Sequence, residues 1–296
     1  MPQESKIIFK KRGTVFKQDG RQPMDEKYTW DEMYQYVVEL IPKLSSTHFR
    51  KWFREREHIG KLFDPVMIAR CYSIYKEIHR KDRDHFWFIC GKEGSGKSTL
   101  ASQIAAWIDP NFKVDNFCFD VRDYVEKVKT LPKGSSIVLD EGGVALFSRS
   151  AMGIDNKKIV RLFMLQRQKN FNVIVVCPSF YDIDTYVRKH RVNTLIRVIN
   201  QGDYMGYLPK AISIINEVGY RKKPLSAIKI PNGQFWYGTF TKPFPKYLKR
   251  DDYVLKKGNH LEDFLKNIDK TNKKGELAKE IGEKLSESGK NILKID

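Results

Sequence analysis

A glycine-rich loop constrains this chain more than any other feature. Gly91-Lys92-Glu93-Gly94-Ser95-Gly96-Lys97-Ser98 has the spacing G-x-x-x-x-G-K-[ST]. The short apolar run His85–Cys90 before it predicts a buried strand. The run Ser98–Ile108 after it sets Leu100, Ile104, Trp107 and Ile108 on one helical face. Between a strand and a helix, such a loop curls so that successive N–H groups point at phosphate oxygens, and the helix N-terminus adds partial positive charge. Gly91 to Ser98, with Thr99 beside them, are therefore expected to bind a nucleoside triphosphate, taken as ATP. Lys97 would reach the β- and γ-phosphates, and the Ser98 hydroxyl would ligate Mg²⁺.

Hydrolysis requires a second, acidic element, and Ser136-Ile-Val-Leu-Asp140-Glu141 supplies one. Three apolar residues predict a strand that ends in adjacent carboxylates. Asp140 at the strand end is placed to hold Mg²⁺ through water. Glu141 is placed to orient and polarise the water that attacks the γ-phosphate. A kinase acting on a small molecule has no need of such a residue, because its substrate brings the nucleophile. The pattern favours an ATPase.

Composition narrows the partners. A chain of 296 residues can bury a full α/β core with appendages. A net charge of +18, with a pI near 9.6, points to a polyanion, nucleic acid before membrane. Mean hydropathy is −0.52, and no apolar run approaches the roughly 18 residues of a membrane helix. Met1–Phe9 lacks the layout of a signal peptide. Cys71, Cys90, Cys118 and Cys177 show no paired metal spacing and read as small buried hydrophobes. The expected location is the cytoplasm, with no membrane span.

Four zones are expected. Residues 1–84 form a mainly helical segment, with helices at 30–41 and 65–75; in 48–56 basic and aromatic residues interleave, either to grip a nucleic acid backbone and stack bases or, the favoured reading, as a helix with its aromatics inward. Residues 85–200 alternate strand and helix patterns: strands at 114–119, 172–177 and 194–200, helices at 121–130, 156–169 and 181–190. Asp155 is the expected N-cap of the helix at 156–169, and Asn170 its left-handed C-terminal cap. Repeated β-α units predict an α/β core with a mainly parallel central sheet, the nucleotide lying at the strands' carboxyl ends. Residues 201–245 predict a β-hairpin-like extension, with apolar runs at 211–215 and 227–230, a turn at Pro231-Asn-Gly233 and a strand at 234–240. Residues 246–296 form a Lys-rich helical tail, in which 275–286 is too close to Asp296 for a full helix-turn-helix.

Within 85–200 the chain resembles the P-loop ATPases that carry an additional strand and a catalytic glutamate, with a RecA-like core. It is most similar there to the FtsK–HerA superfamily, which includes DNA translocases, viral genome-packaging ATPases and Zot-like proteins. Gly91–Ser98, Ile137–Glu141, and Arg167-Gln-Lys-Asn170 with the strand ending at Cys177-Pro178-Ser179 carry the resemblance. That family usually ends the third stretch in a glutamine that senses the γ-phosphate; here Ser179 is the candidate in its place. The resemblance implies rings, usually hexamers, in which a neighbour's arginine completes the site. Candidates are Arg149, Arg161, Arg167, Arg188 and Arg191, with Arg191 favoured and Arg167 next.

The resulting expectation is a homo-oligomeric, ATP-hydrolysing DNA motor that contacts phosphates without reading sequence. Two other functions fit the same motifs: an AAA-type replication initiator or helicase loader, and a nucleotide-switched binding protein with little turnover.

Overall fold

The computed structural model describes residues 7–11, 14–18, 29–60, 63–140, 162, 166–219, 224–263 and 266. The chain divides into two units, Met1–Lys249 and Arg250–Asp296. Among the described residues, no helix is long and apolar enough to cross a membrane.

The centre of the first unit is a seven-stranded sheet. Its strands are β3 (His85–Cys90), β4 (Phe117–Cys118), β5 (Ser136–Asp140), β6 (Asn172–Cys177), β7 (Thr194–Asn200), β8 (Asp203–Tyr207) and β9 (Phe235–Thr239). Their spatial order is β4-β5-β6-β3-β7-β8-β9. The pairs among β4, β5, β6, β3 and β7 are parallel, while β8 and β9 add on antiparallel. β6 therefore lies between the strand that leads into the glycine loop and the strand that ends in Asp140. This is an α/β fold with a RecA-like core and the additional strand expected of it.

Two residue patterns make this sheet. β3, β5 and β6 are buried along their whole length, as continuous apolar runs in a parallel sheet require. Helices cover the two faces. Phe86, Phe88 and Cys90 face a cluster with Tyr124, Val187 and Ile212, from α5 (Val121–Thr130), α6 (Thr185–His190) and α7 (Pro209–Gly219). The helix α4 (Lys97–Ile108) packs on β3, β5 and β6.

Before the core come a small antiparallel pair, β1 (Ile7–Lys11) and β2 (Thr14–Gln18), and three helices. The mixed charges of the first twenty residues gave no sign of the pair. In α1 (Trp30–Leu40), Thr29 and Glu32 form a reciprocal capping box. α2 (Thr47–Arg54) turns Phe49, Trp52 and Phe53 inward onto Tyr34, Tyr72 and Trp107, as its alternation predicts. α3 (Pro65–Arg80) starts from Asp64, whose carboxylate accepts from the N–H groups of Val66 and Met67. Asp64 also accepts from Tyr204 Oη at 2.7 Å and Thr239 N at 3.1 Å, tying α3 to β8 and β9.

Past the core the elements differ from expectation. Residues 211–215 belong to α7, with Ala211, Ile212 and Ile215 buried at helical spacing. The hairpin is formed instead by β7 and β8 about Gln201-Gly202, and β9 pairs with β8. Residues 114–119 form a 3₁₀ turn and the two-residue β4. The stretch 180–190 holds a 3₁₀ turn at Phe180–Asp182 before α6. Most of the helix expected over 156–169 lies outside the described residues; Gln166–Lys169 is a 3₁₀ turn, closed by Asn170 in the left-handed region at φ 50°. The second unit has a helix over 250–263, and the stretch 275–286 lies outside the described residues.

Candidate nucleotide-binding site

The loop leaves the end of β3 and enters α4 with its glycines in backbone states that other residues avoid. Gly91 has φ 153°, and a Cβ there would lie 2.6 Å from the Val198 carbonyl oxygen. Gly96 begins α4 from the left-handed region, at φ 93°. Gly91 N donates to the Pro178 carbonyl at 3.2 Å, which sets the loop's first residue beside the end of β6.

Inside this curl sits Lys97, only 4% exposed. Its ammonium donates to the carbonyls of Gly91 at 2.9 Å and Lys92 at 2.8 Å. Ser95 N also points at the Lys92 carbonyl, at 3.3 Å. The Ser95 hydroxyl is buried and has no hydrogen-bond partner among the described residues. A buried ammonium, an inward N–H, an orphaned hydroxyl and a helix N-terminus are the donors a polyphosphate needs. The residues fit the triphosphate expected from the motif.

Ser98, in the first turn of α4, reaches across β6 to β5, where its hydroxyl donates to Asp140 Oδ1 at 2.9 Å. Asp140 is fully buried. A hydroxyl and a carboxylate oxygen in contact are hard ligands, suited to Mg²⁺ bound through one carboxylate plus phosphate oxygens. Glu141, Arg149 and Arg161 lie outside the described residues.

The other candidates fall in two places. Ser179 stands just past β6 beside the loop. Its hydroxyl accepts from Tyr181 N at 3.2 Å, and its own N–H donates to Asp182 Oδ2 at 3.1 Å. Arg167 and Arg191 precede β6 and β7, at the opposite edge of the sheet from the loop, a strand length of roughly 17–20 Å away. Arg167 is exposed. Arg191 is ion-paired with Asp84, both side chains mostly buried at 13% and 15% exposure. Arg188 is buried against the rings of Phe180 and Tyr181 and donates to Thr185 Oγ1 at 3.1 Å.

Sequence reasoning missed the wall on the β7 side. Gln201 Nε2 donates to the Gly94 carbonyl at 2.9 Å. The Phe240 ring lies where a Cβ on Gly96 would meet it at 3.3 Å. Gln103 Nε2, on α4, donates to the carbonyls of Thr241 and Pro243, each at 2.8 Å. These partners are a hundred or more residues from the loop, and the only local signal was the Gln201-Gly202 turn. Burial pushes the Cys90 thiol up to about 12 and raises Cys177 as well, so both thiols, at the ends of β3 and β6, stay protonated.

No protein-family model matches the chain, and no curated protein was found similar to it. Solved structures do resemble it in part. The N-terminal domain of zonular occludens toxin from Neisseria meningitidis aligns over 42% of this chain and 83% of its own, at 16% identity and a TM-score of 0.31. The genome packaging NTPase B204 from Sulfolobus turreted icosahedral virus 2, in complex with AMPPCP, aligns over 44% of this chain and 94% of its own, at 14% identity and a TM-score of 0.30. A chain of the E. coli MS115-1 HORMA:CdnC:Trip13 complex aligns over 53% of this chain and 63% of its own, at 15% identity and a TM-score of 0.27. The loop, the strand order and the Ser98–Asp140 contact give this protein the α/β core of a P-loop nucleoside triphosphatase.

Proposed function

We propose that the protein is an ATP-hydrolysing DNA motor, of the translocating or genome-packaging kind, that works as a ring of identical subunits, with a hexamer favoured. The observation that carries the hydrolytic part is the insertion of β6 between β3 and β5, with Ser98 in contact with Asp140 and Glu141 next in sequence. Lys97 and the loop N–H groups hold the phosphates. Ser98 and Asp140 hold Mg²⁺, which when bound supplies charge neutralisation on the phosphate oxygens. Glu141 takes up the proton of the attacking water, and Ser179 donates its hydroxyl proton toward the γ-phosphate.

A neighbour's arginine completes the site in this reading, because neither Arg167 nor Arg191 lies on the loop's edge of the sheet. Arg167 is exposed, whereas Arg191 is engaged by Asp84 within its own chain. On that ground this proposal puts Arg167 ahead of Arg191. An arginine so placed is worth roughly 10³–10⁵ in rate.

Charge supports the DNA partner, and its distribution is informative. Residues 250–296 hold 11 Lys and Arg against 10 Asp and Glu, so all but one unit of the +18 excess belongs to residues 1–249. A motor that grips phosphates through its core fits that distribution better than a neutral body with a basic tail.

The test is ATP turnover with and without duplex DNA of unrelated sequences, with assembly size measured in both states by light scattering. DNA-stimulated turnover by a ring supports the proposal. Turnover indifferent to DNA, or tight nucleotide binding by a monomer without turnover, would instead favour the nucleotide-switched binding protein.

A further inference from the structure

We propose that Gln201 is a positioning residue for the phosphate loop: by holding the Gly94 carbonyl from outside, it keeps the loop shaped for the triphosphate. This rests on the assignment of Gly91–Ser98 as the triphosphate site.

The loop's tip has little else to hold it. Gly94 sits at φ 69°, and nothing among the described residues lies within 4 Å of the place its Cβ would occupy. A glycine with open space on its Cβ side can turn its peptide planes at small cost. The amide of Gln201 donates to the Gly94 carbonyl at 2.9 Å and fixes one of those planes.

The direction of that plane matters. In a trans peptide the carbonyl and the following N–H point opposite ways. With the Gly94 carbonyl drawn outward to Gln201, the Ser95 N–H turns inward, toward the Lys92 carbonyl that also receives Lys97 Nζ. At 3.3 Å the Ser95 bond is long, so a phosphate oxygen entering beside Lys97 can replace the Lys92 carbonyl as its acceptor. Gln201 thus presents the Ser95 N–H to the ligand without touching the ligand itself.

Gln201 is itself well placed to act as an anchor. β7 is hydrogen-bonded to β3, so the β7–β8 turn emerges at the same edge of the sheet as the loop. The register shifts between Val198 and Asn200, an irregularity that re-aims the residues just after it. Phe240 N then donates to the Gly202 carbonyl at 2.8 Å, fastening the turn to the end of β9. The Phe240 side chain packs over Gly96. Gly94, Gln201, Gly202, Phe240 and Gly96 form a closed circuit around the outside of the loop.

The experiment compares the wild-type protein with Gln201→Ala and Gln201→Glu, measuring ATP and ADP affinity by calorimetry and amide hydrogen exchange across residues 91–98 without nucleotide. Gln201 is exposed, so both variants should melt within a degree or two of wild type. Gln201→Ala should weaken both nucleotides by about two- to tenfold, the effect of one hydrogen bond, and speed exchange at the loop amides. Gln201→Glu should be worse, since it sets a carboxylate against a carbonyl and near the phosphates. Wild-type affinity and unchanged loop exchange in both variants would overturn the assignment. A wild-type protein that binds no nucleoside triphosphate would remove the triphosphate site itself, and this proposal with it.

Discussion

The guanidinium of Arg56 donates to the backbone carbonyl of Trp107 at the C-terminal end of the phosphate-loop helix. It also donates to the carbonyls of Trp52 at 2.6 Å and Ile108 at 3.4 Å, and it lies 4.1 Å from the Trp52 ring centroid. Helix α4 thus has a buried cation at the end where its dipole is negative, and offers its positive end to the phosphates. Desolvation pushes Arg56 down to about 10, which leaves it charged at neutral pH. The helical N-terminal segment and the nucleotide site are thereby one structural system.

Arg56→Met should therefore destabilise the fold by about 3–5 kcal/mol, because it leaves three carbonyls short of a donor inside an aromatic cluster. Arg56→Lys should fall between, since one ammonium lacks the span of the guanidinium. Urea unfolding gives both values, and a change under 1 kcal/mol for the methionine variant would mean that the cation adds nothing to the helix end.

The core was readable because its signals are local. Gly91–Ser98 carries its own spacing, and the apolar runs of β3, β5 and β6 sit where that motif and the Asp140-Glu141 pair require strands. The run Ala211-Ile-Ser-Ile-Ile215 misled because five apolar-rich residues fit either period, and Ala211, Ile212 and Ile215 prove to share a helix face. Arg56 was unreadable: among its basic neighbours in 48–56, nothing local marks the one that turns inward. The same holds for Gln201 and Phe240, whose roles exist only once β7, β8 and β9 are placed beside β3.

Lys97→Ala should abolish productive nucleotide binding, since this ammonium is the buried cation inside the loop's curl. Glu141→Gln should retain ATP but not hydrolyse it, because the amide keeps the shape and loses the base. A filter-binding assay beside a phosphate-release assay separates the two. Normal hydrolysis by Glu141→Gln would reduce that residue to an ordinary strand-end carboxylate.

The two arginines should behave differently. Arg167→Ala should cut turnover with ATP affinity nearly intact, and mixing it with Glu141→Gln subunits should restore part of the activity through interfaces that pair an intact arginine with an intact glutamate. Arg191→Ala should instead lower stability, by up to the roughly 3–5 kcal/mol typical of a broken buried pair, because Asp84 loses its counter-charge. If Arg191→Ala melts like wild type yet fails to turn over, the trans role belongs to Arg191.

Acid should weaken the fold through His85. Its Nε2 lies 3.0 Å from Thr194 Oγ1, a hydroxyl that also accepts from Arg70 at 3.0 Å; Glu77 is 3.9 Å from its Nδ1. Burial, and next the Arg70 charge, hold this imidazole well below its ordinary value, so the folded form is neutral. The unfolded chain gains a proton near 6.5, so the stabilisation is present above that pH and is lost as pH falls toward the folded value. The cost approaches about 1.4 kcal/mol per pH unit. His79, exposed at the surface and also lowered by desolvation, adds a smaller effect in the same direction. Melting curves from pH 7 to 5 should fall less steeply for His85→Gln than for wild type, and parallel curves would clear His85 of the effect.

Removing the second unit tests where the charge acts. Leu248 is buried and Tyr247 packs on His58, so the chain should be ended at Lys249 rather than before these residues. Because residues 250–296 contribute only one unit of net charge, the shortened protein should keep its DNA affinity within a few-fold. It should also keep the salt dependence of a phosphate grip. If about six phosphates are engaged, affinity falls by roughly a thousandfold between 50 and 200 mM salt. Fluorescence anisotropy with a labelled duplex across that range reads both quantities. Loss of DNA binding with basal ATP turnover retained would place the grip in the tail, and would require its lysines to act locally despite their acidic neighbours.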